Sequence, residues 1–254
     1  MVTMRDEPAG ELYLSNKIPF WRLVFGKGSL TQHVIDHKYP GAGTKDDPFQ
    51  VTWLEKDTCN PMLFSSVFRW YIMMLVGVDT LAVALVSSAY SGSVVEIIAE
   101  FHISEEVALL GISLFVLGFA IGPLLWAPLT EIYGRRIILI LNLLGLTVFT
   151  AGTTGSRNIW TLLILRFFGG AIGSGPYAIS GGVLADCFPA ITRGLAMGFY
   201  CAAPFLGPVL GPLAGGFLSE NAGWRWVEGL GAVFSGLCKL PFVSFFLANQ
   251  IDLY

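Results

Sequence analysis

Asp79 and Arg166 are charged side chains that stand inside long apolar runs of this chain. A charge at membrane depth is expensive and normally turns towards a partner or a water-filled cavity. Asp79 falls near the centre of its run. A carboxyl there, with its charged form penalised by desolvation, is suited to binding and releasing a proton; the alternative is an acid tolerated beside backbone donors. Arg166 comes seven residues after Ile159, near one end of its run. It either faces inward or snorkels to the surface. A third group is Glu131-Ile132-Tyr133-Gly134-Arg135-Arg136. The glycine permits a tight turn between antiparallel helices, and the acid and arginines around it suggest a charge-paired latch. The plainer reading makes the arginines interfacial anchors.

A fourth pattern concerns backbone mechanics. Between Gly198 and Gly216, proline recurs at Pro204, Pro208 and Pro212, and glycine at Gly207, Gly211 and Gly215. Both series repeat every four residues, so each follows one helix face. The glycine face lets a neighbouring helix approach closely. The prolines remove amide donors and bend the helix. Glycine-mediated dimerisation would explain the glycines but not three prolines in register.

These residues need long apolar helices to hold them. The chain is 54% hydrophobic and 13% charged, with a mean hydropathy of +0.66, whereas soluble domains carry about 25% charged residues. The charges are also uneven: residues 1–69 hold 8 of the 15 Lys+Arg and 8 of the 18 Asp+Glu. Six apolar segments follow, near 68–90, 106–130, 136–155, 159–184, 195–218 and 226–248. Each approaches or exceeds the roughly 20 residues needed to cross a bilayer. Charged or turn residues close them: 96–106, 131–136, 156–158, 186–193 and 220–225. The expected architecture is all-α and integral to the membrane. It comprises a six-transmembrane-helix bundle over 67–248, a largely disordered cytosolic arm over 1–66 and a short tail over 249–254.

Basic residues set the orientation. With the N-terminus cytosolic, Lys56, Arg69, Arg135, Arg136 and Arg193 lie inside, and only Arg157 and Arg225 lie outside. Other classes of function find little support. No basic run suggests nucleic acid, and no Ser-His pairing, phosphate loop or metal-spaced His/Cys group suggests an enzyme or a metal site. His33 and His37 read as solvated surface, and the scattered cysteines as small buried hydrophobes.

In combination and in order, these motifs resemble those of the major facilitator superfamily, and most closely its fungal drug:proton antiporters. The loop Glu131 to Arg136 resembles the motif after span two. Arg166-Phe167-Phe168-Gly169-Gly170 is similar to the span-four motif, and Gly198 to Gly216 to the span-five antiporter motif. Asn60-Pro61-Met62, Ser87-Ser88-Ala89-Tyr90 and Gly223-Trp224-Arg225-Trp226 are similar to the fungal subgroup. The likeness covers about residues 39–237. It implies proton-coupled export of small organic molecules of drug, toxin or polyamine type, by alternating access across the plasma membrane. The proton gradient supplies the energy, with no cofactor. In that scheme Arg166 supports proton transfer or binding, and Glu131, Gly134, Arg135 and Arg136 together with Asp186 stabilise one gate state. Span five bends and seals. Glu131 replaces the motif's usual aspartate, and the proton role of Asp79 rests on its own physics. Tyr177, Tyr200 and Phe205 line a cavity or serve as packing.

Transporters of this type have two six-span halves with the substrate site between them, so this chain supplies one half. Its partners are the lipid bilayer, a small-molecule substrate, and the missing C-terminal half or a second copy; nucleic acid is not among them. Lys239 and Pro241 interrupt span six, and divergence from the family is expected after Leu237, from a retained intron or a truncated gene model. Cys238-Lys239-Leu240 can be encoded with GTAAGT, a donor splice sequence. The competing readings are a homodimeric half-transporter and a non-transporting membrane fragment or interaction protein.

Overall fold

The structure is a computed structural model that describes residues 40–41 and 61–249. The arm expected over 1–66, with His33 and His37, therefore lies almost wholly outside the described residues, as does nearly all of the tail. Among the described residues all regular structure is helical. Helix α1 runs Ser66–Ala89, and a 3-10 turn, Tyr90–Ser93, joins it to α2, Val94–Phe101. Then follow α3 (Glu105–Tyr133), α4 (Arg135–Thr154), α5 (Ile159–Gly173), α6 (Gly175–Cys187), α7 (Ala190–Ala222) and α8 (Trp224–Asn249).

Five stretches are long and apolar enough to cross a membrane: Ser66–Phe101, Glu105–Tyr133, Ile137–Thr154, Ile159–Cys187 and Ala190–Ala222. The helix at the sixth apolar segment, α8, packs on α4 and α1 in the same bundle. It runs on through Lys239 and Pro241, so those residues do not end the helix; a membrane bundle can re-satisfy the carbonyl that a proline frees. The first stretch is also longer than its hydropathy implies. Residues 96–101 continue the helix instead of opening a loop, because Ile97 is fully buried against Ile159, Leu162 and Trp224. The chain turns only at His102, which takes the left-handed conformation at φ 52°.

Local sequence sets the helix ends. Ser65 caps α1 by accepting the Phe68 amide proton at 3.3 Å. Gly134, alone between α3 and α4, has φ 83°, a conformation that a side chain would strain. The most intimate packing pairs α1 with α7 and α3 with α5. Both contacts run through glycine. A β-carbon built on Gly211 would stand 2.9 Å from the Ala89 amide nitrogen, and one on Gly215 would stand 3.0 Å from the Ala89 carbonyl carbon. Gly118 and Gly122 likewise press α3 onto the Phe167 and Ala171 backbone of α5. Lipid gives apolar surfaces no reason to leave it, so such close approach has to supply the association.

The break between α5 and α6 falls at Ser174, where Pro176 removes an amide donor. The Ala171 carbonyl at this break accepts the Trp126 indole N–H at 2.7 Å and the Ser174 hydroxyl at 2.9 Å. Such side-chain donors satisfy a carbonyl beside the break, as an interrupted helix inside a membrane bundle requires.

Candidate functional site: a buried ion pair and a second pair at the opposite end

Arg166 sits eight residues into α5, on the face turned to the bundle axis, and is 2% exposed. It does not snorkel. Its Nη1 donates to Glu228 Oε1 at 2.6 Å, its Nε to the Gly111 carbonyl at 3.0 Å and its Nη2 to the Ser87 carbonyl at 3.2 Å. The guanidinium carbon lies 4.0 Å from the centroid of the Tyr90 ring and 5.1 Å from that of Phe115, both favourable cation–π distances. Glu228 completes the set: its Oε2 accepts the Thr153 hydroxyl at 2.8 Å. Both charged side chains are sealed from solvent, at 1% and 3% exposure. One ion pair thus ties α1, the following turn, α3, α4, α5 and α8 together.

Several sequence features converge here. Ser87-Ser88-Ala89-Tyr90 is a junction in which each residue has its own task. Ser87 gives its carbonyl to Arg166, and the Ser88 hydroxyl donates to the Gly207 carbonyl of α7 at 2.9 Å. Ala89 receives the glycine face of α7, and the Tyr90 ring lies under the guanidinium while its hydroxyl donates to the Ala108 carbonyl at 3.0 Å. Gly111 keeps that site open, since a β-carbon there would collide with the Tyr90 ring. Glu228 escaped the sequence reading because it lies at the start of span six, where a carboxylate reads as interfacial. The available signal was depth: Arg166 and Glu228 both come within about two turns of the start of their helices, Ile159 and Trp224.

Asp79 is also buried, 1% exposed, midway along α1. The next residue, Thr80, offers its carbonyl to the Tyr177 hydroxyl at 3.2 Å. Tyr177 is half-buried and packs edge-on against Phe119 with centroids 4.9 Å apart. Tyr200 is buried, whereas Phe205 is 75% exposed on α7.

At the other end of the bundle, Arg135 Nη2 pairs with Asp186 Oδ2 at 3.1 Å, joining α4 to α6. Gly182 makes room for it: a β-carbon there would overlap the Arg135 guanidinium. Arg193 donates to the Ala185 carbonyl at 2.9 Å and to Phe188 at 3.3 Å, capping the C-terminal carbonyls of α6. Glu131 is exposed at the end of α3, and the Arg136 side chain lies outside the described residues. Opposite this end, Arg225 pairs with Glu100 at 2.7 Å, and Trp224 also donates to Glu100.

The span-five series divides in two. Gly207, Gly211 and Gly215 form the buried stripe against α1, while Gly198 and Gly216 have open space where a side chain would stand. Pro204 is half-buried and Pro208 and Pro212 are exposed; the helix runs unbroken through all three.

A bundle of apolar helices joined through glycine, with one ion pair sealed inside, defines a multi-pass membrane protein. Residues 71–251 match the Major Facilitator Superfamily, and the chain belongs to that family. The match runs past Leu237, where divergence was expected. The chain is 60% identical over 226 residues to a major facilitator superfamily multidrug transporter of Aspergillus fumigatus, covering 89% of this chain and 37% of the relative. It is 56% identical over 228 residues to an MFS-type efflux pump of Trichophyton rubrum, covering 90% and 38%. An efflux pump of Fusarium oxysporum is 48% identical, covering 82% and 35%. The chain therefore spans little more than a third of the length of these relatives. Among solved structures, a proton:xylose symporter shares the fold with a TM-score of 0.60 at 19% identity, over 74% of this chain and 45% of that one.

Proposed function

We propose that this chain is the N-terminal half of a proton-driven exporter of small organic molecules, of drug, toxin or polyamine type, in the plasma membrane with its N-terminus in the cytosol. The observation that carries the reading is the Arg166–Glu228 pair, sealed in the bundle. A buried ion pair is sensitive to the loss of either charge. A proton arriving on Glu228 cancels one charge and loosens a contact that ties six elements together, which gives proton binding a mechanical consequence. Asp79 is a second buried acid for the same traffic. Arg135 and Asp186, with Glu131, Gly134 and Arg136, form the inner latch that holds one access state. The second half, or a second copy, completes the substrate cavity against the faces of α1, α3, α6 and α7, with Tyr177 at its wall. The multidrug transporter and efflux pumps among the relatives support export of small organic molecules.

The test is flux of the fluorescent lipophilic cation rhodamine 6G into acid-inside proteoliposomes holding the full-length transporter that carries this half. Gradient-driven uptake that disappears in Glu228→Gln and Asp79→Asn is expected. Uptake unchanged in both variants would overturn proton coupling through these acids. Equal uptake by the present chain alone would assign the missing half to a second copy.

A further inference from the structure

Thr153 of α4 has one hydroxyl hydrogen and two acceptors within reach: Glu228 Oε2 at 2.8 Å and the carbonyl of Thr150 at 2.6 Å. A hydroxyl carries one donor and two acceptor lone pairs, so it can serve a neighbour in either sense. While Glu228 is ionised, Thr153 donates to Oε2 and Oε1 stays on Arg166. Once a proton from the aqueous side reaches Oε2, the new carboxylic O–H donates to Thr153 Oγ1. Thr153 then turns its own hydrogen to Thr150, with no covalent bond of the protein broken. Thr153 is 2% exposed, and buried polar atoms without partners are costly. Such a two-way hydroxyl therefore lets Glu228 change charge without orphaning an atom. Among the described residues, the other ionisable groups facing Glu228 are Arg166 from α5 and Tyr90 from the turn after α1.

We propose that Thr153 is the positioning residue that accommodates Glu228 in both protonation states, directing Oε1 to Arg166 when ionised and receiving the proton-bearing Oε2 when neutral. The proposal rests on the proton-driven reading above. A built-in control lies on the same helix pair. Thr147 of α4 meets Ser235 of α8 at 2.9 Å, an interhelical hydrogen bond of similar length with no charge in it. If the α4–α8 bonds served only to hold the helices together, the two threonines would matter equally.

The experiment measures the maximal rate and KM of gradient-driven rhodamine 6G uptake by the full-length transporter carrying Thr153→Val, Thr153→Ser, Thr147→Val or Glu228→Gln. The thermal midpoint of each variant is followed in detergent. Thr153→Val is expected to lower the maximal rate about tenfold, as loss of a hydrogen bond to a charged group implies, with KM within about twofold of wild type. Thr153→Ser, which restores the hydroxyl, is expected to recover the rate, and Thr147→Val to keep it. A Thr153→Val rate equal to wild type, or Thr153→Ser no better than valine, overturns the assignment. So does a Thr147→Val loss as large as that of Thr153→Val. Full uptake in Glu228→Gln overturns proton binding at Glu228 and this proposal with it; full uptake in Asp79→Asn as well overturns the proton reading. Loss in Glu228→Gln beside full uptake in Thr153→Val overturns this proposal alone.

Discussion

Replacing Glu228 by leucine should destabilise the bundle far more than replacing both members of its pair. The single change strips Arg166 of its carboxylate partner while leaving the guanidinium 2% exposed. Removing one member of a buried pair costs roughly 3–5 kcal/mol. Arg166 would still reach the carbonyls of Gly111 and Ser87 and the faces of Tyr90 and Phe115, which places the loss near the lower end, about 3 kcal/mol. Arg166→Leu orphans the carboxylate instead and should cost about as much. In the double variant no charge remains buried, and apolar replacement of a buried pair is often neutral or better. Two carbonyls lose a donor there, which holds the double to roughly 1–2 kcal/mol below wild type. The singles would then sum to about 6 kcal/mol against about 2 for the double. The assay is SDS-driven unfolding of this chain in mixed micelles, followed by far-ultraviolet circular dichroism. Singles that add within about 0.5 kcal/mol would mean that the pair is not energetically coupled, and the reasoning would fall.

Three further outcomes follow from the packing. Gly211→Val forces a branched side chain into the Ala89 backbone and Ser88 Oγ; a loss of about 1–3 kcal/mol is expected in the same unfolding assay, while Gly198→Ala, in open space, should sit within about 0.5 kcal/mol of wild type. Gly182→Ala should displace Arg135 from Asp186, whereas Gly181→Ala, with nothing near its β-carbon, should not; spin labels on α4 and α6 flanking the pair would report a widened distance in the first variant alone. Arg225→Ala removes a pair with Glu100 that is more than 40% exposed on each side, so stability should fall by no more than about 1 kcal/mol and the difference should shrink in high salt.

The sequence made the helical bundle legible because hydropathy over twenty-odd residues is a local property. The same holds for Gly134, whose turn needs one residue with positive φ, and for the four-residue glycine repeat, whose partner face on α1 the structure then supplied. Helix ends were harder to read. Residues 96–101 carry two glutamates and read as loop, yet the burial of Ile97 between other helices keeps them helical. No window along the chain contains that contact.

Composition and spacing alone therefore determined that this is a multi-pass membrane protein, that Arg166 and Asp79 are charges needing explanation, and that α7 has one face built for close approach. Tertiary structure decided which charge answers which. Arg166 and Glu228 are 62 residues apart, and whether an arginine near a span's end snorkels or turns inward depends on what the neighbouring helices present at its depth. Here they present a carboxylate, two carbonyls and two aromatic faces. The energy of a buried charge depends on the groups around it, and only the folded bundle brings those groups to one point.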